Sequence, residues 1–129
     1  VLVPAALVAI PVVRTALQNA LNERCWEDDA AYRVLLATTE ATANAIEHGS
    51  RDGELIEVTY QVGDGETHVR VLDGGGATPW TPPATPAQPS IDETRGRGLL
   101  LITNLAERVE VHTSGRGNEL RLNFQRYAA

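Results

Sequence analysis

Asp73 is followed at once by Gly74, Gly75 and Gly76 in the stretch VLDGGG. A carboxylate held at the end of a strand can accept a hydrogen bond from an exocyclic amine, and glycine lets a flat ring approach the backbone. Further on, RGRGL (Arg95 to Leu99) puts Gly96 and Gly98 directly before an apolar run. Exposed N–H groups at a helix start form a phosphate site, to which Arg95 and Arg97 add charge. The third feature is TTEATANAIEHG, where Glu40, Asn44 and His48 stand at i, i+4 and i+8. On an α-helix that spacing makes one stripe along one face. Each feature alone has a plainer reading: a capped glycine turn, a loose lead-in to a helix, a solvated polar edge. Their order along the chain carries the argument.

The elements that must position these residues follow from periodicity. Pro11 suits the first turn of a helix, and Val12, Ala16, Leu17, Ala20 and Leu21 recur at helical spacing after it. A second helix is expected from EDDAAYR, acidic at its start, to a C-cap at Gly49, with Val34, Leu35, Ala41, Thr42 and Ala45 facing a core. The period then changes to two. Ile56, Val58, Tyr60 and Val62 alternate with polar residues, GDGE (Gly63 to Glu66) reads as a hairpin turn, and THVRVLD returns as the partner strand. A long run with Pro79, Pro82, Pro83, Pro86 and Pro89 has no periodicity and reads as a functional lid or a disordered loop. GLLLITNLAE predicts a short helix, and RVEVHTS and NELRLNF predict two strands joined by a turn at Gly115 to Gly117. The order helix, helix, strand, strand, lid, helix, strand, strand implies an α/β (α+β) two-layer sandwich, with helices on one face of a mainly antiparallel sheet.

Composition narrows the function classes. A chain of 129 residues fits one domain, expected to occupy 1–129. A net charge of −6 argues against direct nucleic-acid binding through a broad basic surface. All 11 basic residues are arginine, so the lysine that a Walker-type phosphate loop requires is missing. Cys25 is single, so an internal disulfide is excluded; it is expected to pack at a helix end in a reducing, cytoplasmic setting. The apolar opening VLVPAALVAIPVV is too short for a bilayer, is broken by Pro4 and Pro11, and lacks a basic lead-in, so neither a membrane span nor a signal peptide is expected. The chain opens on Val1 rather than Met, which leaves room for a longer parent protein.

EATANAIEHG, then DGGG after a hairpin, then a proline-rich stretch, then GRGL opening a helix resembles the GHKL ATP-binding superfamily, the Bergerat fold. The resemblance covers nearly the whole chain, and the compact size is similar to the stand-alone anti-sigma-factor serine kinases of bacteria. It implies ATP and Mg²⁺, with Asn44 as the magnesium ligand and Glu40 as the general base on an attacking hydroxyl. It further implies that Asp73, with Gly75 beside it, reads the adenine amino group. Gly96, Gly98 and Leu99 match the second glycine box over the phosphates, where Arg95 and Arg97 neutralise charge, and the lid falls at about 77–95. His48 is matched to a structural cap. The sequence departs from the family pattern at Ala77, where a glycine is common, and at Gly117-Asn118, where a glycine-threonine pair is common.

By the same resemblance the function is an ATP-dependent serine/threonine kinase that phosphorylates a STAS-type anti-anti-sigma protein and otherwise sequesters a sigma factor, as a homodimer joined through the first helix and nearby sheet edge. An alternative is a nucleotide-sensing binding module without turnover; another is the catalytic domain of a larger multidomain regulator. Retention of Glu40 favours an enzyme, since binding alone needs no base. His48, His68 and His112 fall on a helix end and two strands rather than on a separate phosphoacceptor helix, which disfavours an autophosphorylating histidine kinase.

Overall fold

The computed structural model describes residues 1–4, 6, 8–49, 54–74, 100–114 and 117–127. Five strands form one antiparallel sheet: β1 (Leu2–Pro4), β2 (Leu55–Val62), β3 (Glu66–Leu72), β4 (Arg108–Ser114) and β5 (Gly117–Gln125), in the order β1-β2-β3-β5-β4. Two long helices, α1 (Ala9–Glu23) and α2 (Asp28–Asn44), pack on it, and a short helix, α3, covers 100–105. This is the two-layer α+β arrangement expected from the periodicity.

Alternation fixes which sheet face is covered. Ile56 and Val58 of β2, Val69 and Val71 of β3, and Leu120, Leu122 and Phe124 of β5 are buried with Leu17, Leu21, Val34 and Ile102 from the helices. The opposite face is polar: Arg70 of β3 bonds Glu119 across to β5, Arg121 bonds the same Glu119 along β5, and Glu66 bonds His68 along β3.

Three expectations need correction. The apolar opening contains an edge strand, β1, which pairs Val3 with Ile56. Three residues are too few for alternation to be legible, and only the neighbouring strand makes them a strand. Second, α1 buries Ala9, Val13, Leu17 and Leu21, whereas Val12 is 51% exposed. Once β1 has fixed the entry of α1, the i, i+4 row through Leu17 is the one that meets the sheet.

Third, Cys25 does not pack: it is exposed, with φ 56. The Trp26 N–H bonds Leu21 O at 3.1 Å and the Cys25 N–H bonds Asn22 O at 3.0 Å, the paired bonds of a Schellman ending with Cys25 in the left-handed position usually held by glycine. A Cβ there is strained by about 1–2 kcal/mol, partly offset by the greater freedom of glycine in the unfolded chain. Cys25→Gly is therefore expected to stabilise the fold by about 0.5–1 kcal/mol in urea melts, and a destabilised variant would refute this account.

Trp26 donates its Nε1 hydrogen to Gly63 O at 2.8 Å, tying the α1–α2 junction to the β2–β3 hairpin. Arg126, with a side chain 12% exposed, completes this clasp. Its guanidinium donates to Cys25 O at 2.6 Å, Asp64 O at 3.0 Å and both oxygens of Glu27, each at 3.0 Å, and lies 5.9 Å from the Trp26 ring centroid.

Hydrogen bonds from Arg126, and then from its own backbone N–H, hold the Glu27 carboxyl below its ordinary 4.5, against a smaller opposing effect of burial. Glu66 is lowered by His68, Asn123 and Gln125. At Glu119 burial pushes upward, but Arg70 and Arg121 together prevail and the net shift is downward. A carboxyl lowered in the folded state contributes stability that is complete above the unfolded value and disappears as pH falls through the folded one. The melting temperature is therefore expected to fall on acidification below about 4.5, and Glu27→Gln to fall less steeply there than the parent. An identical acid limb in both proteins would remove the clasp from the explanation.

Candidate functional site

The two ends of the sheet differ. The clasp closes the end with the β2–β3 hairpin, and α2 starts there, at Asp28. With 17 residues α2 is about 25 Å long, close to the length of the eight-residue β2. It thus carries its last residue, Asn44, toward the other end, where β3 runs out into Asp73 and β5 begins at Gly117.

Glu40 and Asn44 lie one turn apart on α2, both half-buried, with Cβ atoms about 5–6 Å apart by helical geometry. Asn44 Nδ2 is buried and has no hydrogen-bond partner among the described residues. Leaving such an amide unpaired costs about 1–3 kcal/mol, so its orientation is not explained by the protein's own contacts. From Ala45 to Gly49 the backbone is π-helical, so α2 itself ends at Asn44 rather than running on to Gly49. The His48 side chain lies outside the described ones.

Asp73, half-buried, is strapped to β5 through the main chain: its N–H donates to Asn118 O at 3.0 Å. Gly117 makes this approach feasible. Its φ is +127, and a Cβ there would collide with the Asp73 carbonyl. Glu54, which sequence reasoning did not single out, reaches over Gly74, where a side chain would strike its carboxylate; Glu54 Oε2 is buried without a partner among the described residues. A glutamate just ahead of a strand carries no signal that would reveal this. Asn118, 7% exposed, stands beside Asp73 and accepts a hydrogen bond on Oδ1 from Thr113 Oγ1 at 3.0 Å. Gly75, Arg95, Gly96, Arg97, Gly98, Leu99 and the lid at 77–95 lie outside the described residues.

Asn44 offers a carboxamide oxygen, a ligand type that suits a hard cation, while its amide nitrogen has no partner among the described residues. Among the described residues no group of three or more His, Cys, Asp or Glu could hold a metal alone. A magnesium ion here would take further oxygens from phosphate and water, as this ion commonly does. A wide groove of about 820 Å³ lies on the opposite sheet face, lined by His68, Arg70 and Arg121 among others. It contains none of Glu40, Asn44 and Asp73, and Arg70 and Arg121 are already paired with Glu119, so it is not the nucleotide candidate. No described helix is long and apolar enough to cross a membrane.

Comparison with known proteins agrees with this geometry. The RsbU and RsbW domains of Rv1364c from Mycobacterium tuberculosis superpose with a TM-score of 0.66 at 21% identity, over 96% of this chain and 31% of that one. The histidine kinase domain of the blue-light activated histidine kinase from Erythrobacter litoralis EL346 gives a TM-score of 0.59 at 18% identity, over 94% of this chain and 60% of that one. A longer form of the same kinase gives 0.55 at 20% identity, over 74% and 30%. At these identities the likeness is one of fold, and the chain spans about a third of the length of the first of them. No curated protein matches the sequence. The family model of the histidine kinase-like ATPase domain matches residues 3–124, and with that span the chain belongs to the histidine kinase-like ATPase domain family.

Proposed function

We propose that this chain binds Mg-ATP and transfers its terminal phosphoryl group to a serine or threonine of a STAS-type anti-anti-sigma protein, and that it otherwise sequesters a sigma factor. The observation that carries the reading is the pairing on α2 of Glu40 with Asn44, whose buried amide has no partner among the described residues, at the end of the sheet where Asp73 stands. Family membership supports ATP use, and the fold likeness to a structure containing an RsbW domain favours the serine/threonine branch.

In this reading Asp73 accepts a hydrogen bond from the adenine amine, held in register by its main-chain bond to Asn118. Asn44 Oδ1 holds magnesium, which neutralises charge on the phosphate oxygens. Glu40 takes the proton of the partner's hydroxyl as that oxygen bonds the γ-phosphorus and the bond to the ADP oxygen breaks. Gly96, Gly98 and Leu99 offer backbone amides to the phosphates, with Arg95 and Arg97 adding charge and Gly75 beside the base. We further propose cytoplasmic action as a homodimer, with residues 1–129 as one ATPase domain. Incubation with labelled ATP and a STAS-domain protein tests this: label on a serine or threonine of the partner supports it. Nucleotide binding without transfer to any such partner would leave a sensing module instead.

A further inference from the structure

The two edges of the sheet are built differently. β1 offers three residues, one of them Pro4, and proline cannot donate to a neighbouring strand. β4, the opposite edge, offers seven, without proline, lysine or bulge: its register against β5 runs unbroken from Arg108 opposite Asn123 to Ser114 opposite Gly117. Among the described residues no strand pairs with its outer side. Such an edge presents a row of main-chain N–H and C=O groups, which native proteins usually blunt or pair. The core also runs out here. Val109 and Val111 face the helices beside Leu122 and Leu120 of β5, yet they are only half-buried where those leucines are buried. On the open face the side chains of Glu110 and His112 are 46% and 49% exposed and approach each other to 3.5 Å.

We infer that the outer edge of β4 is a self-pairing surface, taken by β4 of a second copy of this chain running antiparallel to it about a two-fold axis. A two-fold contact must be self-complementary, and this strand meets the condition. The register that pairs all seven residues is centred on Val111. In it the two Val111 residues stand opposite each other, and Val109 of each copy stands opposite Thr113 of the other. Glu110 of each copy then falls opposite His112 of the other. The half-covered apolar margin meets its equal on one side of the sheet, and acid meets imidazole on the other. Centring the pair on Glu110 or on His112 shortens it and sets like groups face to face. A two-fold axis normal to the sheet preserves its faces, so the helices of both copies stay on one side. Main-chain hydrogen bonds supply the affinity and the side-chain register the specificity, as in strand addition generally. β1 lies at the far edge and α1 packs on β2, so this pairing does not depend on a contact through the first helix.

Disulfide trapping reads the register. With the exposed native thiol removed by Cys25→Gly, Val111→Cys is expected to give a cross-linked dimer on mild oxidation, because directly opposite residues have the Cα spacing a disulfide needs. Thr113→Cys is expected to give none, its two copies standing four residues apart in this register, about 14 Å. Sedimentation equilibrium reads the affinity. His112→Glu sets acid against acid twice and is expected to weaken self-association about tenfold, and the exchange Glu110→His with His112→Glu to restore it. A parent protein that stays monomeric, no cross-link at position 111, or equal cross-linking at position 113 would overturn the inference. So would a His112→Glu protein that associates as the parent does, or an exchanged pair that fails to restore association. None of these readings involves nucleotide, so their failure leaves the proposed ATP chemistry standing.

Discussion

Replacing Glu40 by alanine is expected to lower phosphoryl transfer to a STAS-domain partner by about 10²–10⁴-fold while leaving stabilisation by Mg-ADP unchanged. The size follows from the assigned role. A base that removes a hydroxyl proton acts only as the transition state forms, so its loss affects turnover and not ground-state binding. Glu40 is half-buried on α2, outside the row of fully buried residues such as Val34, Thr38 and Ala41 that hold the helix to the sheet. Truncating it therefore leaves the packing face intact. Transfer at the parent rate would remove the base assignment. Transfer and binding lost together would point to a positioning role instead.

The second large effect concerns binding, and two variants divide it. Asp73→Asn removes the charge from the proposed hydrogen bond to adenine but keeps the main-chain bond to Asn118 O, since that bond uses the backbone N–H. A hydrogen bond to a charged partner contributes about 1.5–3 kcal/mol, so ADP affinity is expected to fall about 10- to 150-fold. The thermal shift at fixed nucleotide should shrink accordingly, because stabilisation by a ligand follows its concentration relative to Kd. Asn44→Ala is expected to behave differently. It removes the proposed metal ligand and with it the gain in affinity that magnesium brings, while binding of ADP in the presence of a chelator changes little. It also deletes a buried amide that has no partner among the described residues, so the protein without nucleotide is not expected to lose stability on that account. A thermal shift in Asn44→Ala that still grows on adding magnesium would contradict the assignment.

Much of the fold was legible before any coordinates. Alternation in LIEVTYQV and RVEVHTS, the GDGE turn and the helical spacing around Leu17 and Leu35 all correspond to elements of the structure, because each encodes its own period. The failures have local physical causes. The three residues of β1 become a strand only beside Ile56, and Val12 and Val13 are equally apolar, so the buried row of α1 depended on how the helix met the sheet. Cys25 was expected to pack because cysteine usually does, yet Arg24 and Trp26 required a left-handed link at that point.

For the site, the sequence alone determined the chemical types and their order: Glu40 one turn before Asn44, Asp73 ahead of glycines, no lysine for a phosphate loop. These are properties of neighbours in the chain, and one-dimensional spacing is enough to express them. Tertiary structure decided what such spacing leaves open. It passed α2 into a π-helical turn after Asn44, set Gly117 against the Asp73 carbonyl, placed Glu54 over Gly74 and aligned Thr113, Asn118 and Asp73 in one row. Thr113 and Asp73 are separated by forty positions of chain, and only the register of three hydrogen-bonded strands makes them neighbours of the same amide.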